Sequence, residues 1–242
     1  MYLSYAKIEQ IADSVISDFR KRFPEYADSG QFRMPNATAI DQFAEKYLGL
    51  DVTFAHLSSD GNFCGLTAYE DLEFTYEVDG VEQTMPIKKD QVILDSEFIN
   101  PERIRELCSK RRFTLAHECA HQILFRLESA DTNVACRKKY AARICYSRRD
   151  LKSPTDWTEW QANALASAIM MPRDDIALAM YRFCIKNKLK NYGGYYNQKD
   201  LCTIRMFSDY FGVSHTSAKI RLKQLGYTED LPFKELFNDP WR

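Results

Sequence analysis

The stretch Phe113-Thr-Leu-Ala-His-Glu-Cys-Ala-His-Gln-Ile-Leu-Phe125 constrains this chain more than any other part of it. Phe113, Ala116, Ala120, Ile123 and Leu127 recur at steps of three and four, the spacing of an apolar stripe along a helix, and His117 and His121 fall to one side of that stripe. Residues four apart on a helix stand one turn above each other, so both imidazoles face one point in space. That arrangement suits a single Zn²⁺. The residue after the first histidine projects beside such a point, where a carboxylate takes a proton from water instead of ligating the metal. Glu118 is therefore the candidate general base. The bland alternative is a pair of histidines on the shoulder of a core helix, and a third ligand decides against it.

That ligand is expected further on. Ser153-Pro-Thr-Asp156 is a helix start, and Pro172 ends the run from Trp157 to Met171, in which Ala162, Ala164, Ala166 and Ala168 keep the helix slim enough for close approach to another. A catalytic zinc held by two histidines needs one more protein ligand and an open position for water, which Glu159 would supply. Asn163, four residues on, shares its face and is placed to hydrogen-bond the far nitrogen of a ligand histidine, fixing its tautomer. Asp156-x-x-Glu159 also reads as a capping box. Beside the histidine pair, the metal role is expected ahead of the cap.

A chain of 242 residues with 45% hydrophobic and 28% charged residues suits one large soluble domain, or one with a smaller appendage. The formal net charge of −1 gives no whole-chain field for nucleic acid or membrane. Neither a signal-peptide pattern after Met1 nor an apolar run long enough to cross a bilayer is present, so the expected location is the cytoplasm. The seven cysteines include no C-x-x-C pair and are expected to be reduced thiols, with Cys119 a packing residue.

Ahead of the motif, Ile8, Ile11, Ala12, Val15, Ile16, Phe19 and Phe23 mark an amphipathic helix closed by Pro24. A loop with Gly30 and Pro35 precedes a second helix through Ile40, Phe43, Ala44, Tyr47 and Leu48, stopped at Gly49. Segments 52–54, 66–69, 73–78, 81–85 and 92–94 read as strands of a small, largely antiparallel sheet, with Asp79-Gly80 as a hairpin turn. Val92 to Leu94 is the expected edge that pairs with an extended substrate. Asn100-Pro101 starts a short helix ahead of Lys110-Arg111-Arg112, read as a solvated helix end with substrate orientation as the alternative. The basic segment 129–155 is either a solvated excursion or a flap over the site.

Beyond Pro172 a helical module is expected. Gly212-Val-Ser214 between two amphipathic stretches is a helix-turn-helix pattern with Phe207, Phe211, Val213, Ala218 and Leu222 as its core. Its second helix brings only Lys219, Arg221 and Lys223, so a structural or partner-binding role is expected ahead of DNA binding. His56 and His215 are assigned no metal.

Arg112-Phe-Thr-Leu-Ala-His-Glu-x-x-His121, Glu159-x-x-Ala-Asn163 and Ile169-Met-Met-Pro172 together resemble the ImmA/IrrE family of metallopeptidases. The resemblance implies an α+β, zincin-like core over residues 1–172 and a helix-turn-helix-like module over 173–242. It matches the family's zinc-binding glutamate to Glu159, and it implies cleavage of a helix-turn-helix repressor. The interval between His121 and Glu159 is long for the family, and the hairpin at 73–85 is an elaboration. Two rival readings remain, a non-proteolytic regulator that binds a repressor or DNA, and a toxin-like partner of a DNA-binding antitoxin.

Overall fold

The computed structural model describes residues 2–26, 37–58, 63–78, 80–128, 136–137, 154–183, 185 and 188–242. The loop carrying Gly30 and Pro35, the Ser153 helix start and nearly all of the basic segment lie outside these residues. Helix α1 (Tyr5–Arg22) starts where the Ser4 hydroxyl accepts from Lys7 N at 3.2 Å, and it buries Ile8, Ala12, Ile16 and Phe19, the predicted stripe. Helix α2 (Ile40–Gln42) widens through Phe43–Tyr47, where Leu48 N bonds to Phe43 O five residues back. Gly49, at φ +71°, then reverses the chain.

Strands β1 (Asp51–Ala55), β2 (Gly65–Ala68), β3 (Leu72–Val78), β4 (Val81–Ile87) and β5 (Gln91–Asp95) follow. A two-residue strand β6 (Cys136–Arg137) joins the main sheet, whose order is β1-β5-β2-β6. Strands β1 and β5 are parallel, and β2 is antiparallel to both β5 and β6. The sheet is largely antiparallel, as expected. Two details differ. The hairpin β3–β4 forms its own ladder, and β5 is the inner neighbour of β1 and β2, so Val92 to Leu94 is not an edge. Its three consecutive apolar residues are all buried, the pattern of a strand covered on both faces.

Helix α3 (Ile104–Leu127) is one continuous helix of 24 residues that carries the motif. The separate short helix expected after Asn100-Pro101 is absent, because no proline or glycine interrupts 104–127. Asn100 instead shapes the turn before α3: its Oδ1 accepts from Glu102 N at 3.1 Å and its carbonyl from Ile104 N at 2.9 Å. Lys110 to Arg112 thus sit inside a helix rather than at a solvated end. Arg111 pairs with Asp41. Arg112 donates from Nε to Gly212 O at 3.2 Å and from Nη2 to Thr38 O at 2.9 Å, and burial lowers its pKa.

Helix α4 (Pro154–Met170) packs along α3 and against α1, with Ala162, Ala166 and Ala168 fully buried. The chain continues through α5 (Arg173–Arg182), β7 (Leu189–Tyr192), α6 (Gln198–Phe211), α7 (His215–Gln224) and β8 (Thr228–Leu231), which pairs in parallel with β7. Gly212, left-handed at φ +62°, closes α6, and Ser214 caps α7. Ile204, Phe207, Phe211, Val213, Ala218 and Leu222 belong to the same buried cluster as α1, α3 and α4, so the core runs across position 172.

Arg221 is fully buried. It pairs with Glu9 of α1, donates from Nε to Met171 O at 3.0 Å and from Nη1 to Tyr5 Oη at 3.1 Å. It is therefore part of the core and not of a recognition surface, which is the structural half of the role expected for this helix. Cys64, Cys108, Cys119 and Cys202 are free thiols. Among the described residues no helix is long and apolar enough to cross a membrane.

Candidate metal centre

Helices α3 and α4 bring three side chains to one point. His117 Nε2 lies 3.0 Å from His121 Nε2 and 3.2 Å from Glu159 Oε2, and His121 Nε2 lies 3.4 Å from Glu159 Oε1. One donor atom from each residue falls within a 4.8 Å group. Ligands about 2.0–2.2 Å from a tetrahedral zinc stand about 3.3–3.6 Å apart, so these separations are close to the edges of a coordination tetrahedron. The imidazole planes cross at 83°, which lets both Nε2 atoms aim at the same centre. The histidine side chains are 0% and 1% exposed and that of Glu159 17%, so the centre opens to solvent on the Glu159 side.

The charges suit a cation. Burial, then the neighbouring His121, pushes the His117 pKa down to about 4 against the opposing pull of Glu159, so the ring is neutral near pH 7. A neutral imidazole is the form that ligates a metal. Burial pushes the Glu159 carboxyl upward, but hydrogen bonds from His117 and His121 outweigh it and hold the group at about 2. Asn163, one turn after Glu159, adds a weaker polar contact to His117.

Glu118 is the expected contrast to Glu159. It is 1% exposed, and burial, then the charge of Glu159, raises its pKa well above the ordinary carboxyl value. Its Oε2 has no hydrogen-bond partner among the described residues. A buried carboxyl with a free oxygen and a raised pKa is suited to exchanging a proton with a neighbouring group.

The predicted residues His117, Glu118, His121, Glu159 and Asn163 are thus gathered at one site, while His56 and His215 are exposed elsewhere. Cys119 is buried and packs into the core, as expected. What the sequence reading missed is the wall formed by β2. A Cβ built on Gly65 would stand 2.8 Å from Thr114 Cγ2 and 3.4 Å from Glu118 Oε1. Beyond it, Gln122 reaches Thr67 and Ala68. The available signal was the polar row Thr114, Glu118, Gln122 at steps of four.

Residues 109–223 match the model of the Peptidase_M78 family, described as the IrrE N-terminal-like domain. The match over these residues supports an ImmA/IrrE-type metallopeptidase. The family match begins inside α3, takes in the HExxH segment and Glu159, and runs through α5 and α6 into α7. It supports a metallopeptidase of the ImmA/IrrE kind, and His117, His121 and Glu159 form a candidate metal triad. The mixed helix and sheet architecture agrees with a zincin-like core. A comparison with curated proteins returns no match.

Proposed function

We propose that this protein is a zinc-dependent endopeptidase of the cytoplasm that hydrolyses a bond within one specific protein, a helix-turn-helix transcriptional repressor being the expected class of substrate. The observation that carries the reading is the convergence of His117, His121 and Glu159 donor atoms beside Glu118, whose Oε2 has no hydrogen-bond partner among the described residues. The two imidazoles and the Glu159 carboxylate would hold the cation. When bound, zinc supplies Lewis acidity, activating water near neutral pH and polarising a carbonyl. Glu118 takes the proton of the attacking water and returns it to the leaving amine. Asn163 steadies the His117 ring.

For an extended substrate, β2 replaces β5 as the strand that offers main chain. Strand β6 pairs with β2 only at Thr67 and Ala68, which leaves Gly65 and Leu66 without a strand partner on that side among the described residues, next to Glu118. Gly65 has no side chain to block the approach. The selective-substrate part of the reading rests on the family's habit of cutting repressors.

Elemental analysis of protein purified without chelators tests the reading. About one zinc per chain in the wild type and much less in Glu159→Ala is the expected result. A metal-free wild type would shift the function to a binding regulator that acts through a repressor or DNA.

A further inference from the structure

Thr114, Glu118 and Gln122 share one face of α3, and that face lies along β2. At one end of the contact a Cβ on Gly65 would stand 2.8 Å from Thr114 Cγ2 and 3.4 Å from Glu118 Oε1, so only a glycine leaves room there. At the other end Gln122, 1% exposed, donates from Nε2 to Thr67 Oγ1 at 2.7 Å and to Ala68 O at 2.9 Å. Both protons of one buried amide are therefore spent on a single strand, four residues beyond Glu118. The metal triad, in contrast, links α3 to α4 and takes nothing from β2.

We propose that Gln122 is a positioning residue for the general base: its grip on β2 sets the rotation of α3 so that the Glu118 carboxyl stands against the Gly65 main chain. The proposal rests on the reading of Glu118 as the base at a metal held by His117, His121 and Glu159. A helix released from such a grip can roll. At roughly 6 Å from the helix axis, a roll of about 10° moves a carboxylate by about 1 Å, and a misplacement of that size costs on the order of 10²-fold in rate. The histidines would move less, because their Nε2 atoms lie 3.2 and 3.4 Å from Glu159 of α4 and a bound cation would add to that link. Base alignment and metal affinity are thus separable, which a general loss of packing would not allow.

The test needs no substrate. Acetohydroxamic acid gives up its hydroxyl proton when it chelates a metal as acetohydroxamate, and a well-placed carboxylate beside the metal takes that proton; azide binds without a proton to give. Both are titrated into the cobalt(II)-loaded full chain and followed by its visible absorption. Gln122→Met keeps the volume and loses the grip, and Ala68 O still accepts from Asp90 N at 3.0 Å. The expected result is unchanged metal content and azide affinity with a loss of about tenfold or more in acetohydroxamate affinity. Thr67→Val, which removes one of the two hydrogen bonds, gives a smaller loss in the same direction and guards against misfolding of the first variant.

Unchanged acetohydroxamate affinity in both variants overturns the proposal. So does a parallel fall in metal content and azide affinity, which marks Gln122 as a packing residue only. Glu118→Gln separates the two levels of argument. If it binds acetohydroxamate as the wild type does, the general-base reading itself is wrong; if it loses affinity while Gln122→Met does not, only the positioning role is.

Discussion

Arg221 of α7 and Glu9 of α1 form an ion pair shut away from solvent, joining residues 212 apart in sequence. The guanidinium is completed by Met171 O at the end of α4 and by Tyr5 Oη, so three helices meet on one side chain. A buried charge left without its partner is far more costly than the pair is favourable. Arg221→Ala should therefore destabilise the fold by about 3–5 kcal/mol. The exposed pair Lys223 and Asp230 offers the control, since Lys223→Ala should cost no more than about 1 kcal/mol. Urea unfolding of both variants checks the contrast, and equal midpoints would contradict the burial argument.

Glu118→Gln should keep its metal and lose hydrolysis. The amide has nearly the shape of the carboxyl but cannot take a proton, and general-base catalysis contributes about 10²–10⁴-fold. Zinc content and cleavage rate are measured on the same preparation. Full activity with the glutamine in place would remove Glu118 from the reaction.

Gly65→Ala places a methyl group 2.8 Å from Thr114 Cγ2 and near Glu118 Oε1. Either β2 moves away from α3 or the strain stays, at a cost of about 1–3 kcal/mol. Activity should fall more steeply than stability, because Thr114, the side chain most crowded, lies one turn from Glu118 on α3. Thermal unfolding and cleavage rates of the variant, compared side by side, give the answer; an unaffected rate would mean that β2 does not border the reacting groups.

Asp239 ties down the carboxy-terminal segment. It accepts from Tyr192 Oη at 2.6 Å, Asn197 Nδ2 at 3.1 Å and Trp241 N at 2.8 Å, and these bonds, that of Tyr192 first, hold its pKa below the ordinary 3.8. The unfolded chain therefore takes up the proton first as pH falls. The contribution of Asp239 to stability is complete above about pH 4 and is lost below it. Asp239→Asn should be destabilising at pH 7, and the gap from wild type should narrow in acid. Denaturant midpoints over that range decide it, and a gap that widens on acidification would reverse the sign.

Much of the site was legible because helical periodicity is a local property. His117, Glu118 and His121 are fixed relative to one another by one turn of α3, and Glu159 and Asn163 by one turn of α4. The slim alanine series announced that α4 would lie close to another helix. The charges were harder to read. Arg111, Arg112 and Arg221 look like surface residues in any local window, yet each finds its partner far along the chain, at Asp41, Thr38 and Gly212, and Glu9. Strand order was equally hidden, since a run such as Val92 to Leu94 states that it is buried without naming its neighbours.

The sequence by itself pointed to most of the helices and strands, to Glu118 as a candidate general base and to the residues able to hold a cation, because each depends on spacings of three, four or two residues. Tertiary structure alone decided that the helices bearing His117, His121 and Glu159 meet, that Gly65 of β2 lies beside Glu118, and that the helix-turn-helix-like pair is locked to the remaining helices through Arg112 and Arg221. Those choices depend on which distant groups satisfy a buried charge or cover an apolar face, and no local pattern contains that information.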